Sequence, residues 1–211
     1  MRLLKVSREA IRLVSIIVKD GGLVIYPTDT VYGLGCNPFD DAAVSRVFLL
    51  KGRGDIPVPI LGDSIESLEK IAKFDDVAYE FCLIFWPGAL SVVLPKKLPL
   101  EKVTCGSPTV AVRIPASQAA IELARLSGGL LVGTSANISG MPPACDVSEL
   151  DKRVAEGVDI VLDGGRCLHC VASTIVKIED RTIKVLREGA ISLNMIKERV
   201  AKAGLNVKLV E

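Results

Sequence analysis

Four basic side chains stand where an α/β chain builds its sites. Lys51 and Arg53 follow a helical stripe, Arg113 follows the β-branched run Thr109–Val112, and Arg187 follows Ile183–Leu186. Small hydroxyls and amides hold similar places. Leu23–Tyr26 runs into Pro27-Thr28-Asp29-Thr30-Val31-Tyr32-Gly33, and Leu130–Thr134 runs into Ser135-Ala136-Asn137-Ile138-Ser139-Gly140. Ligands in open α/β sheets bind outside the carboxyl ends of the strands. If these ends converge, one cavity presents four cations and several hydroxyls. Guanidinium groups grip phosphate or carboxylate oxygens bidentately, and a lysine adds a point charge. Such a cavity suits a triphosphate of about four negative charges, in a chain with no P-loop pattern to cradle one. Taken singly, each piece also has a purely structural reading. Thr28 and Thr30 can bond a turn, Lys51 and Arg53 can complement a helix dipole, Arg113 can sit on a surface strand end, Ser135-Ala136-Asn137 can cap a helix, and Asp29 reads as a turn residue.

Other chemistries are excluded or weakly supported. The lone histidine, His169, rules out mechanisms that need two. Gly33-Leu34-Gly35 starts like a dinucleotide fingerprint, but Pro38 stands where the third glycine belongs. No GxSxG elbow is present. Cys167-Leu168-His169-Cys170 is half a zinc site with no second CxxC to complete four ligands, so no resident metal is expected. The 211 residues are 49% hydrophobic and 24% charged, an ordinary globular balance that excludes a disordered chain. Lys+Arg 26 against Asp+Glu 25 excludes a surface that is basic throughout, while leaving room for a local basic pocket. No run approaches the roughly 18 apolar residues of a membrane span, and the N-terminus lacks a secretory h-region. A cytoplasmic location without membrane contact is therefore expected, with the six cysteines as thiols.

The elements that must position these residues alternate. Helical periodicity marks residues 8–20 after a Ser7 cap, 40–50, 64–73, 76–85, 117–126, 147–155 and 192–202. Strands are expected at 23–26, 90–94, 109–113, 130–134 and 158–162, with a hairpin of 173–178 and 182–186 around Glu179-Asp180-Arg181. The fold class is α/β, a largely parallel or mixed sheet with helices on both faces. A single catalytic domain over 1–211 is the simplest organisation.

Eight motifs occur in order: Pro-Thr-Asp-Thr-Val-Tyr-Gly-Leu (27–34), Lys-x-Arg (51–53), Trp-Pro-Gly (86–88), Val-Ala-Val-Arg-Ile-Pro (110–115), Ser-Ala-Asn-x-Ser-Gly (135–140), Asp-Gly-Gly (163–165), Ser-Thr-Ile-Val (173–176) and Leu-Arg-x-Gly (186–189). Together they resemble the YrdC family of threonylcarbamoyl-adenylate synthases in its short, single-domain form, a resemblance that implies a twisted mixed or parallel α/β sheet around a deep basic cavity. The resemblance implies a nucleotidyltransferase that condenses L-threonine, bicarbonate or CO2, and ATP to threonylcarbamoyl-AMP and pyrophosphate. It implies Mg²⁺ arriving with ATP as cofactor, a downstream tRNA threonylcarbamoyl-transferase complex as consumer of the product, and at most weak contact with tRNA. By position, Thr28, Arg113, Gly133 and Ser173 would hold threonine. Lys51, Arg53, Thr109, Ser135, Asn137 and Arg187 would hold the nucleotide, with Lys51 and Arg53 carrying catalysis. Lys51→Ala or Arg113→Ala is then expected to abolish product formation without unfolding the protein.

This chain departs from the family pattern at Gly54-Asp55-Ile56-Pro57-Val58-Pro59-Ile60, where two prolines stiffen the loop, and at Thr134, Ala172 and Glu188. The rival class is an RNA-binding domain of the same fold without synthase activity. A net charge of +1 and 4% aromatics argue against a broad RNA face. A module detached from a hydrogenase-maturation-type enzyme would bring zinc-finger and acylphosphatase-like segments, and this sequence shows neither.

Overall fold

A computed structural model describes residues 2–52, 54 and 56–210. The chain opens with β1 (Leu3–Lys5), α1 (Arg8–Lys19), β2 (Val24–Tyr26), β3 (Gly33–Gly35) and α2 (Asp41–Lys51). It continues through β4 (Ile60–Gly62), α3 (Ile65–Glu69), α4 (Asp76–Phe85), β5 (Leu90–Pro95), α5 (Glu101–Thr104) and β6 (Thr109–Arg113). Then come α6 (Gln118–Leu126), β7 (Leu130–Val132), β8 (Thr134–Ser135), a 3₁₀ turn (Val147–Glu149), α7 (Lys152–Glu156) and β9 (Ile160–Asp163). The hairpin β10 (Thr174–Glu179) and β11 (Thr182–Arg187), α8 (Leu193–Ala203) and β12 (Lys208–Val210) complete it.

Helix starts follow local chemistry. The hydroxyls of Ser7, Ser117 and Ser192 and the carboxylates of Asp40 and Asp75 accept amides of the first turns of α1, α6, α8, α2 and α4. Residues 64–73 yield only the short α3, and residues 147–155 divide where Asp151 caps α7 anew.

The mixed α/β class holds, with one difference from the single sheet expected. Two mixed sheets form, ordered β1-β9-β2-β3-β8 and β12-β11-β10-β5-β6-β4-β7. β1, β3, β4 and β12 escape sequence reading because each is three residues long, too short for a period. The run 130–134 is likewise not one strand. It breaks at Gly133, so β7 pairs in the seven-stranded sheet and β8 in the five-stranded one. A Cβ on Gly133 would stand 2.4 Å from Leu61 Cγ, so only glycine lets the chain cross there.

Strand alternation sorts apolar residues into two cores. Ile25, Ile60 and Val132 face the larger core with α2, α4 and α8, while Val24, Tyr26, Leu61 and Leu131 face a smaller one with α1 and α6. No helix among the described residues is long and apolar enough to cross a membrane.

Candidate active site

A cavity of ≈ 360 Å³ lies where the two sheets meet. Its floor is one face of the seven-stranded sheet. Val93 of β5 stands opposite Ala111 of β6, and Leu61 of β4 stands beside Arg113. Ile175 of β10 pairs with Arg187 of β11 across a bulge in which Leu186 is the additional residue. That bulge brings both Leu186 and Arg187 to the cavity, as bulges beside sites do. The facing wall comes from the other sheet and its loops: Thr28, Thr30, Val31, Gly33, Thr134 and Ser135. Ile56, Pro57 and Pro59 of the proline-stiffened loop close a third side.

Arg113 is the centre of the polar wall. Its side chain is 5% exposed and that of Asp29 is 1%. Nη2 donates to Asp29 Oδ1 at 2.6 Å, Nη1 to Thr30 Oγ1 at 3.0 Å, and Nε to Gly88 O at 2.7 Å. A guanidinium has five N–H groups, so each terminal nitrogen retains one for a ligand. Burial pulls the Arg113 pKa down, Asp29 opposes that shift, and Arg187 adds to it. Asp29 Oδ1 also accepts the Ala116 amide at 3.1 Å, whereas its buried Oδ2 has no partner among the described residues.

The Trp-Pro-Gly stretch earns its place here. Gly88 donates its N–H to Ile114 O at 2.9 Å while its carbonyl holds Arg113, so this turn grips both sides of the arginine. Trp86 Nε1 donates to Leu90 O at 2.7 Å, and the Trp86–Pro87 peptide is cis.

Hydroxyls extend the network. Thr28 Oγ1 accepts the amides of Thr30 and Val31 at 3.1 and 3.2 Å and donates to Val31 O at 2.6 Å. It also lies 2.9 Å from Thr30 Oγ1. A directed chain results, from Arg113 through Thr30 and Thr28 to the Val31 carbonyl. Thr28 thus bonds a turn and lines the cavity at once. On the floor, Ser173 Oγ lies 3.1 Å from Ser91 Oγ, and Arg187 Nη2 donates to Ser173 O at 2.7 Å. Burial lowers the Arg187 pKa. Thr174 Oγ1 accepts the amides of Gly189 and Ile191 at 2.9 and 3.0 Å, tying the last two motifs together. Tyr32 OH donates to Gly165 O at 2.7 Å, tying the first motif to Asp-Gly-Gly.

Six of the predicted residues line the cavity: Thr28, Arg113, Gly133, Ser135, Ser173 and Arg187. Lys51 does not, and it is the last residue of α2 rather than a residue past it. It is 1% exposed, and Nζ donates to Ser135 O at 2.5 Å, Asn137 O at 2.8 Å and Asn137 Oδ1 at 3.3 Å. Asn137 Oδ1 also accepts Ser135 Oγ at 2.6 Å, and its Nδ2 donates to Met141 O. Lys51 and Asn137 therefore stand behind the cavity and shape the loop that carries Ser135. Thr109 shares a β6 face with Ala111 and Arg113 but sits at the far end, bonded to Ser107 Oγ at 2.9 Å. Arg53 lies outside the described residues.

Asp29, Thr30, Gly88 and Ser91 complete the site and were not predicted as site residues. One signal was available for Asp29, since an aspartate three residues past a fully buried strand must find a cation if it is itself buried. Among the described residues no group of three His, Cys, Asp or Glu is placed to hold a metal ion. The buried carboxylate nearest the cavity's arginine, Asp29, pairs with it through Oδ1.

Comparison with known proteins places the sequence and the fold. The Sua5/YciO/YrdC family model, described as "Telomere recombination", matches residues 16–189. A putative threonylcarbamoyl-AMP synthase of Mycobacterium tuberculosis is 40% identical over 86% of this chain and 84% of its own length. The threonylcarbamoyl-AMP synthase of Pyrococcus abyssi is 36% identical over 94% of this chain, which spans only 59% of that protein. The crystal structure of P. abyssi Sua5 complexed with L-threonine superposes with a TM-score of 0.86 at 35% identity, covering 99% of this chain and 62% of that one. With a family match over residues 16–189, the chain belongs to the Sua5/YciO/YrdC family.

Proposed function

We propose that the protein makes threonylcarbamoyl-AMP from L-threonine, bicarbonate or CO2, and ATP, acting as a nucleotidyltransferase that releases pyrophosphate. The observation that carries this reading is the convergence of Arg113, Arg187, Thr28, Ser135 and Ser173 on one cavity. The names of the relatives, and the threonine bound in a structure of the same fold, support it.

Arg113 pairs with the threonine carboxylate through its two uncommitted N–H groups, and Thr28, Ser173 and the backbone at Gly133 enclose the amino acid. Ser135, Arg187 and Arg53 hold the nucleotide, with Thr109 at the outer end of the same floor. Lys51 and Asn137 act by holding the Ser135 loop in place. Mg²⁺ comes bound to the nucleotide phosphates and water.

The carbamate oxygen of N-carboxythreonine attacks the α-phosphorus, and the bond to pyrophosphate breaks. Such a transfer needs alignment and charge stabilisation more than a strong base, in keeping with a cavity lined by cations and hydroxyls. Cations around the threonine ammonium lower its pKa and free the amine for carboxylation. The product passes, in the cytoplasm, to a transferase that modifies tRNA.

Mass spectrometry after incubation with ATP, threonine and bicarbonate tests the reading. Threonylcarbamoyl-AMP is the expected product. Absence of that adenylate, together with pyrophosphate release that ignores threonine, would refute it. RNA affinity falling steeply with salt in place of turnover would favour the binding-domain alternative.

A further inference from the structure

Three of the six cysteines meet behind the 27–32 loop. The amide of Cys167 donates to Cys145 O at 2.8 Å, which lays the two segments side by side. Cys170 takes the left-handed backbone conformation, with φ 54°. Non-glycine residues seldom adopt it, and it persists where the surroundings impose it. It turns the Cys170 thiol back onto Cys167 O at 3.4 Å. There it lies beside the Cys145 thiol. The Cys167 sulfur is occupied differently, by the Thr28 backbone. A disulfide between two such neighbouring thiols needs their sulfurs drawn together to about 2.05 Å.

We propose that Cys145 and Cys170 form a reversible disulfide that braces the substrate loop from behind. Both segments are bonded to that loop. The Tyr32 amide donates to Ala144 O at 2.9 Å and the His169 amide donates to Asp29 O at 2.9 Å. A bond between residues 145 and 170 therefore joins the two supports of the stretch that carries Asp29 and Thr30.

The oxidant is a small-molecule disulfide. Cys170, the more exposed of the pair, attacks one of its sulfurs as thiolate, and the first thiol leaves with the Cys170 proton. Cys145 then attacks the Cys170 sulfur, and the second thiol leaves with the Cys145 proton. Two protein thiols are oxidised to one disulfide, and the reagent disulfide is reduced to two thiols. Burial keeps Cys145 protonated, with its pKa pushed up to about 12, which makes it the second to react.

The test treats the purified protein with oxidised glutathione, then unfolds it, alkylates it and maps the peptides. The expected result is loss of two of the six alkylatable thiols, one cross-linked peptide joining Cys145 to Cys170, and full recovery with dithiothreitol. Cys170→Ser and Cys145→Ala should each abolish the cross-link, and Cys105→Ser should retain it. Having both variants keeps the test open if one fails to fold. Six alkylated thiols, a Cys167–Cys170 link, or glutathione retained on Cys170 would overturn the assignment. Hydrogen exchange over residues 28–32 should slow on oxidation, and unchanged exchange would overturn the bracing role. These measurements read thiols and amides rather than turnover, so they succeed or fail separately from the synthase reading.

Discussion

Replacing Arg113 with alanine removes three hydrogen bonds and strands a carboxylate. Asp29, whose side chain is 1% exposed, would retain only the Ala116 amide. Removing one member of a buried pair costs about 3–5 kcal/mol, most of it the penalty of the charge left behind. With a urea slope of about 2 kcal/mol per molar, the unfolding midpoint should fall by about 2 M. Asp29→Asn in the same background keeps the Oδ1 acceptor and removes the stranded charge. The double variant should therefore be more stable than Arg113→Ala alone, recovering about half of the lost midpoint through the coupling that a double-mutant cycle measures. Urea titrations followed by Trp86 fluorescence and far-UV circular dichroism, on all four proteins of the cycle, give both numbers. A midpoint for Arg113→Ala within about 0.5 M of wild type, or a double variant no more stable than the single one, would refute a buried, mutually dependent pair. This burial predicts that Arg113→Ala lowers stability as well as activity. The same holds for Lys51→Ala, which would leave the oxygens of Ser135 and Asn137 that its ammonium now satisfies. Inactivity of either alanine variant is therefore interpretable only alongside its unfolding curve.

Thr28→Val should raise the KM for threonine more than the KM for ATP, and should also lower stability by about 1–3 kcal/mol because buried amide partners lose their acceptor; equal changes in both KM values would make Thr28 a scaffold residue. Gly133→Ala drives a Cβ to 2.4 Å from Leu61 Cγ. At about 1–3 kcal/mol for overpacking and about 3 °C per kcal/mol in a chain of this size, its melting temperature should drop by about 3–9 °C, and an unchanged value would mean that Leu61 yields freely. Arg187→Ala removes a partly solvated side chain and should leave the melting temperature nearly untouched while raising the KM for ATP about tenfold, the weight of one charge-assisted contact. An equal rise in the threonine KM would show that Arg187 works through Ser173.

Much of the site was legible because strand ends and helix caps are local. An apolar run followed by hydroxyls and an arginine fixes which residues leave the core together, and eight ordered motifs sharpened that into a family. The supporting roles were less legible. Asp29 looked like a turn residue because its cation lies 84 positions away. The Ser135 and Asn137 oxygens that Lys51 holds were out of view because they lie 84 and 86 positions away. Trp-Pro-Gly carried family weight without a reason until Gly88 O was found on Arg113 Nε.

What the sequence alone determined is most of the longer elements and the side chains at their ends, since caps, periods and turn residues act within a few positions of themselves. What only the tertiary structure decided is division into two sheets at Gly133, the bulge that aims Arg187, and which cations face the cavity and which stand behind it. Those outcomes depend on which segments come within hydrogen-bonding distance after the chain closes, and sequence separation carries no information about that.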